Sequence, residues 1–183
     1  MIEDKNMKTI LLGGGCFWCT ESVFDSLKGI NSVVSGYAGG AGDTANYQAV
    51  CTGETGHVEV IEVNYDDSIL GTDAILSVFF ATHDPTTLNR QGNDIGTQYA
   101  SVIFYTDDEQ VKVAKAMIES LRSEGVNVVT KLEPAPTFYP AEDYHQNYYA
   151  NNPTQAYCNF AIPPKLAKLR ANFAHLLKDN QNA

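Results

Sequence analysis

Residues 13–19, Gly13-Gly14-Gly15-Cys16-Phe17-Trp18-Cys19, lie between a short apolar run at residues 10–12 and an amphipathic segment at residues 20–27. An apolar run, a glycine turn and a helical pattern predict a strand that leads into a helix, with Cys16 at or near the helix start. Unpaired backbone N–H groups and the positive end of the helix dipole favour an anion there. We therefore expect a Cys16 thiolate with a pKa well below that of a free cysteine.

The overall composition is that of an ordinary globular domain. Of the 183 residues, 44% are hydrophobic and 19% charged, so we expect a single domain over residues 1–183 with a substantial core. A net charge of -10 with only 12 Lys and Arg residues argues against a nucleic-acid partner, because phosphates are bound by clustered cations. The acidic start and the short apolar run argue against a signal peptide or a membrane span, and a cytoplasmic protein is expected.

Hydrophobic periodicity outside this stretch predicts a mixed order of strands and helices. Strands are predicted at residues 8–12, 30–37, 57–65, 99–105 and 126–132, and helices at residues 17–27, 73–83 and 107–123. Thr72 is the predicted N-cap of the second helix. This order favours an α+β fold, a two-layer sandwich in which helices pack on a mixed, largely antiparallel sheet with a ferredoxin-like core.

Two regions lack a clear pattern. Residues 84–98 form a long polar segment, and structureless loops of this length in compact domains are usually functional or disordered. From about residue 134 we expect an irregular C-terminal tail, with a final helix at residues 164–177, that wraps the core.

The four cysteines allow several kinds of chemistry. Cys16 and Cys19 have the C-x-x-C spacing of a dithiol redox pair or of half a zinc site. Cys51 and Cys158 do not form a second close pair, so the usual zinc-ribbon spacing is absent and no metal is predicted. Cys19 also fits a buried inert thiol, and a cysteine hydrolase that uses one of the four histidines remains an alternative.

Glu59 and Trp18 each have two interpretations. Residues 57–65 largely alternate between apolar and polar, so Glu59 fits a solvent-facing carboxylate. If Glu59 instead faces the core near Cys16, burial raises its pKa and makes it a proton donor. Trp18, the only tryptophan, fits either a core-filling side chain or the wall of an apolar pocket.

Five motifs, taken in order along the chain, resemble a single family. They are Gly15-Cys16-Phe17-Trp18, Gly36-Tyr37-Ala38-Gly39-Gly40, Thr55-Gly56-His57-Val58-Glu59, Gln91-Gly92-Asn93-Asp94-Ile95-Gly96-Thr97-Gln98-Tyr99 and Ala141-Glu142-Asp143-Tyr144-His145-Gln146. Together they resemble the peptide methionine sulfoxide reductases of type A, which are specific for the S epimer. The resemblance implies reduction of methionine S-sulfoxide, in proteins and as the free amino acid, and hence protein repair after oxidative stress.

The resemblance also implies roles for individual residues. Cys16 is similar to the family's nucleophile, and Glu59 to the acid near the sulfoxide oxygen. The other implied site residues are Phe17 and Trp18 around the substrate methyl group, Tyr47 and Tyr99 as hydroxyl partners of the oxygen, and Asp94 from the polar segment. The residue types suit the chemistry, because a thiolate attacks the sulfoxide sulfur while the oxygen must gain protons to leave.

By the same resemblance, Cys158 is the thiol that condenses with the Cys16 sulfenic acid to a disulfide, which a thioredoxin-type reductant then reduces. The sequence departs from the family pattern at three points. Ala100 stands where arginine is common, no second tail cysteine follows Cys158, and Cys19 occurs in only part of the family. Cys19 is therefore an additional candidate redox thiol.

The resemblance implies no cofactor, and nothing in the sequence suggests a dedicated subunit interface, so a monomer is expected. Two other classes of function remain as alternatives. One is a metal-binding interaction module that uses all four cysteines, and the other is a cysteine hydrolase that needs no reductant.

Overall fold

A six-stranded sheet forms the centre of the structure, a computed structural model that describes residues 6–178. The strands are β1 (Met7–Gly14), β2 (Ile30–Ala38), β3 (Val58–Asp66), β4 (Arg90–Gln91), β5 (Asp94–Ile95), β6 (Ser101–Tyr105), β7 (Lys131–Pro134) and β8 (Phe138–Pro140). The helices are α1 (Phe17–Asp25), α2 (Tyr47–Val50), α3 (Thr72–Thr82), α4 (Asp108–Ser123), α5 (Tyr148–Asn151) and α6 (Ala156–Asn172). Among these, none is long and apolar enough to cross a membrane.

The sheet is mixed and largely antiparallel, as predicted. Its strand order is β7-β6-β1-β3-β2-β8, and only the β6–β7 pair is parallel. β4 and β5 form a separate hairpin within the polar segment at residues 84–98. β1 therefore lies inside the sheet, where its C-terminal end delivers the chain to the start of α1.

Strand β3 shows how the sheet separates its two faces. Ile61 and Val63 belong to the large core under the helices, whereas Val60 belongs to a smaller cluster on the opposite face, against which Phe138 packs. Because side chains alternate along a strand, Glu59 shares the face of Ile61 and points toward the helices. Its side chain is only 2% exposed, so the core-facing interpretation of Glu59 is the correct one.

Two predicted boundaries are wrong for identifiable reasons. The N-cap of α3 is Gly71 rather than Thr72, because the carboxylate of Asp67 accepts the Thr72 N–H at 3.2 Å. Of the strand predicted at residues 126–132, only Lys131 and Leu132 lie in a strand, where they begin β7. The preceding apolar residues satisfy their backbone groups elsewhere, with the Arg122 guanidinium donating to the carbonyl of Val128 at 2.8 Å.

The final helix also differs from the prediction of residues 164–177. α6 begins at Ala156, where the Gln155 side chain accepts the Cys158 N–H at 2.7 Å, and it runs through Pro163 and Pro164. The region after residue 134 thus contains one strand and two helices rather than an irregular tail. As a result, Cys158 lies in the first turn of a helix that packs against α1.

Candidate active site

Cys16 lies where the sequence predicts it, at the junction of β1 and α1. It is the N-cap residue of α1, and its carbonyl accepts the Cys19 N–H at 3.1 Å. Gly15 makes the turn with a φ of 93°, and a Cβ atom there would lie 2.6 Å from the Cγ atom of Gln91. Glycine is therefore required immediately before Cys16, both for its backbone conformation and for the close approach of the β4–β5 hairpin.

The expected lowering of the Cys16 pKa is wrong. The hydrogen bond with the Cys19 thiol and burial raise the Cys16 pKa well above that of a free thiol, and the nearby charges of Cys19 and Glu59 act in the same direction. The Trp18 N–H at the helix start does lower it, but by less. The lowering of the Cys16 pKa by the helix terminus is therefore smaller than the combined raising effect of Cys19, burial and Glu59.

Glu59 is a buried acid next to the start of α1. Its Oε1 atom accepts the Phe17 N–H at 3.2 Å. Burial raises its pKa to about 8, despite the opposing effect of that hydrogen bond. At neutral pH the carboxyl group is therefore largely protonated and can donate a proton.

Cys16 and Glu59 share a cavity of about 160 Å³, which we call the acid pocket. Its lining residues are Cys16, Phe17, Trp18, Tyr47, Glu59, Asp94, Tyr99 and Tyr157. Burial raises the pKa of both Tyr47 and Tyr99, so the two phenols remain hydrogen-bond donors over the physiological pH range. The structure brings together seven residues that the sequence analysis singled out, and Cys19 and Cys158 are the two that lie outside this lining.

The aromatic wall of the acid pocket is held by residues that the sequence analysis did not single out individually. The Trp18 indole N–H donates to Nδ1 of His145 at 3.0 Å. The indole also stacks on Tyr148, with ring centroids 3.9 Å apart and nearly parallel planes. His145 lies within the motif at residues 141–146, so its position was marked in the sequence although its contact with Trp18 was not.

Tyr157 is a further lining residue that sequence reasoning missed. Its hydroxyl donates to the Asp94 carboxylate, which the β4–β5 hairpin holds at the pocket. The only signal in the sequence is its position directly before Cys158. This hydrogen bond joins the start of α6 to the polar segment at residues 84–98.

The remaining cysteines lie outside the acid pocket. Cys19 and Cys158 are buried together with Ile162, and Cys51 is exposed. Within residues 6–178, no group of three or more His, Cys, Asp or Glu side chains is arranged to hold a metal ion.

Two of the histidines are engaged away from the pocket. Nδ1 of His57 accepts the Gly40 N–H at 3.1 Å, and Nε2 of His83 lies 2.7 Å from the Ser101 hydroxyl. His145 packs against Phe17, its Nδ1 atom accepts the Trp18 indole N–H, and its buried Nε2 atom has no hydrogen-bond partner among the described residues. None of the hydrogen bonds of these three side chains involves Cys16, so the Cys–His pair that a hydrolase needs is not formed by them.

Comparison with known proteins identifies close relatives. A family model described as peptide methionine sulfoxide reductase matches residues 8–177. A curated protein named peptide methionine sulfoxide reductase MsrA, from Psychrobacter cryohalolentis, is 63% identical and aligns over 93% of this chain and 99% of its own length.

Solved structures have the same fold. The reduced form of Mxr1 from Saccharomyces cerevisiae matches with a TM-score of 0.77 and 35% identity, covering 89% of this chain and 93% of that one. A structure of Mxr1 in complex with Trx2 matches with a TM-score of 0.54 and 27% identity, covering 81% and 88% of the two chains.

Proposed function

This chain belongs to the peptide methionine sulfoxide reductase family, whose members reduce methionine sulfoxide, and we propose that it acts on the S epimer in oxidised proteins and as the free amino acid. One observation carries the proposal. A partly exposed cysteine and a buried, largely protonated glutamic acid line the same small pocket, next to the apolar side chains of Phe17 and Trp18. This combination supplies a nucleophile, a proton donor and a site for an S-methyl group.

In the proposed reaction, Cys16 Sγ bonds to the sulfoxide sulfur while Glu59 protonates the sulfoxide oxygen. The thiol proton of Cys16 passes to Glu59 and restores the acid. The hydroxyl group then moves to Cys16 as methionine leaves, so a thiol and a sulfoxide become a sulfenic acid and a thioether. The net reaction conserves all atoms and requires no cofactor.

The tyrosines and aromatic residues have supporting roles in this proposal. Tyr47 and Tyr99 donate hydrogen bonds to the oxygen as its charge develops, and Asp94 orients the substrate from the hairpin. Phe17 and Trp18 bury the methyl group, which stabilises binding by about 25 cal/mol per Å² of apolar surface. Their fixed positions favour one epimer by shape.

The sulfenic acid must return to a thiol, and we propose an intramolecular disulfide that a thioredoxin-type protein reduces. The complex of Mxr1 with Trx2 supports this choice of partner. We further propose a cytoplasmic location, because four free cysteines suit a reducing compartment. A monomer is part of the same proposal, as expected from the sequence.

The first test measures methionine formed from separately prepared S and R methionine sulfoxides with excess dithiothreitol. Reduction of the S form alone is expected, and Cys16→Ser should abolish it. Cys51→Ser is the matched control, since it removes an exposed thiol outside the pocket lining while the serine hydroxyl can still accept the hydrogen bond from Tyr47. No reduction of either epimer, or full activity of the Cys16→Ser protein, would overturn the proposal.

A further inference from the structure

Three of the four cysteines form a continuous group behind the acid pocket. Cys19 and Cys158 form a buried cluster with Ile162, and Cys16 packs against it. Cys16 and Cys19 are the N-cap and the third helical residue of α1, joined by the backbone hydrogen bond described above. Cys158 reaches the same cluster from the first turn of α6.

Cys19 occupies the middle position in this group. Its thiol forms a hydrogen bond with Cys16, and this contact lowers the Cys19 pKa. On the other side, the charge of Cys19 acts on Cys158 and, after burial, is the second cause of the raised Cys158 pKa. Cys19 thus interacts with both other thiols, and it has the more ionisable thiol of the Cys16–Cys19 pair.

From this arrangement we propose that Cys19, rather than Cys158, is the first thiol to react with the Cys16 sulfenic acid, and that Cys158 then takes over the disulfide. The proposal rests on the proposed function, which generates the sulfenic acid. It assigns the first resolving step to a residue of the nucleophile's own helix.

The steps balance as ordinary thiol chemistry. The Cys19 thiolate attacks the Cys16 sulfur, the hydroxyl leaves with a proton as water, and a Cys16–Cys19 disulfide forms. Cys158 then attacks the Cys19 sulfur, which releases Cys16 as a thiol and leaves a Cys19–Cys158 disulfide. A dithiol reductant removes this second disulfide and is itself oxidised to a disulfide.

A second cavity gives that reductant access to Cys19. This cavity, the thiol cleft, has a volume of about 570 Å³, and Cys16, Cys19 and Lys165 are among its lining residues. Phe160, also at this cleft, is 78% exposed. Cys19 is only 4% exposed, but it lines this cleft, whereas Cys158 is fully buried and does not, so an incoming thiolate reaches the Cys19–Cys158 disulfide through the Cys19 sulfur.

The order of disulfides can be tested in the full chain without any reductant. The protein is mixed with excess methionine S-sulfoxide, the methionine formed is counted, and non-reducing peptide mapping locates the disulfide while dimedone traps sulfenic acid. The wild type should form about two equivalents of methionine per protein and contain a Cys19–Cys158 disulfide, because the relay frees Cys16 for a second reaction.

The variants separate the two steps. Cys158→Ser should stop at about one equivalent with a Cys16–Cys19 disulfide, and Cys19→Ser at about one equivalent with a dimedone-reactive Cys16. The single equivalent formed by Cys19→Ser also shows that this variant is folded. Cys51→Ser should match the wild type.

Other results contradict the proposal in distinguishable ways. A Cys16–Cys158 disulfide in the wild type or in Cys19→Ser would overturn the relay while leaving the proposed function intact. The wild-type mapping decides this even if Cys19→Ser fails to fold. No methionine from the wild type would overturn the proposed function, and the relay with it.

Discussion

Two cavities of different character meet at Cys16. The acid pocket, about 160 Å³, contains the buried Glu59 and an aromatic wall, whereas the thiol cleft, about 570 Å³, is wider and carries the exposed ring of Phe160. Cys16, Asp94 and Tyr157 line both, so the Tyr157–Asp94 hydrogen bond lies at their boundary. One sulfur atom can thus meet a small substrate on one side and other thiols on the other.

This difference separates two chemical demands. Sulfoxide reduction needs a proton donor in an apolar enclosure, while disulfide exchange needs accessible sulfur. Substitutions in one cavity should therefore change one half of the catalytic cycle and leave the other half intact.

Glu59→Gln should have the largest effect. The amide keeps the shape of the side chain and loses the acidic proton, so we expect the single-turnover rate of methionine formation to fall about 100-fold to 1000-fold. The reduction of a preformed disulfide by dithiothreitol should be unchanged, because that reaction occurs at the thiol cleft. Rapid-quench measurement of methionine checks the rate of sulfoxide reduction, and a thiol titration checks the rate of disulfide reduction.

Glu62→Gln is the matched control for this change. Glu62 is also on β3 and also has a pKa raised by burial, but it lines a groove on the opposite face of the sheet. The single-turnover rate of methionine formation by the Glu62→Gln protein should remain near that of the wild type. Equal loss in both variants would mean that the effect comes from general destabilisation of β3.

The pH dependence of the reduction step should be the next largest effect. Because the reacting form of Glu59 is protonated, the single-turnover rate should fall as pH rises through about 8, the pKa of this group. Stopped-flow measurement of the rate between pH 6 and 10 would detect this fall in the wild type. The pH profile of the Glu59→Gln protein should lack the fall. A wild-type rate that keeps rising above this pH would contradict the assignment of Glu59 as the acid.

Stability gives an independent check on the same carboxyl group. Its folded-state pKa of about 8 lies above the ordinary value of 4.5, so the folded protein retains a proton that the unfolded chain releases between these values. The free energy of unfolding should therefore fall as pH rises across this window. Glu59→Gln should remove this loss, which urea unfolding at pH 5 and pH 9 would measure.

The sequence left Glu59 with two interpretations, because apolar residues occur on both faces of its strand, and the period of two decides between them only once Ile61 and Val63 are known to face the helices. The strand–turn–helix around Cys16, by contrast, was predicted correctly, since glycine and apolar patterns are local signals. The direction of the Cys16 pKa shift was not predicted, because it depends first on a thiol hydrogen bond with Cys19 and on burial, which arise only in the folded chain, and then on the charge of Glu59, 43 residues away in sequence.

The start of α6 was missed for a related reason. Pro163 and Pro164 are typical of a helix start, and this local signal favoured residue 164. In the structure, burial of Cys158, Ile162 and Leu169 on one side of α6 stabilises a longer helix. Contacts between helices therefore outweighed the local pattern, and they also determined which cavity Cys158 could reach.

A smaller effect is expected from His145→Phe. Phenylalanine keeps an aromatic ring beside Trp18 and removes the acceptor of its indole N–H, a loss of about 1 kcal/mol. If this bond holds the indole in its binding position, KM for the sulfoxide should rise about fivefold with little change in kcat.

His145→Asn is the control, because its Oδ1 atom can replace Nδ1 as the acceptor and should restore KM. Trp18 is the only tryptophan, so its fluorescence reports the loss and recovery of the contact directly. If KM is unchanged while the emission shifts, the indole does not contribute to substrate binding.

The smallest expected effect, and the most selective, is that of Phe160→Asp. An exposed aromatic ring beside Cys19 suits the apolar surface of a protein reductant, and an added negative charge on a chain of net charge -10 should weaken that contact. We expect kcat/KM for a thioredoxin-type protein to fall about twofold to threefold, while the rate with dithiothreitol is unchanged because a small dithiol needs no docking surface. Ile69→Asp is the matched control, since Ile69 is 63% exposed and lies outside the lining of both cavities. An equal loss with both reductants would place Phe160 in the structure of α6 rather than in partner binding, and the thiol cleft would then have no demonstrated role in docking.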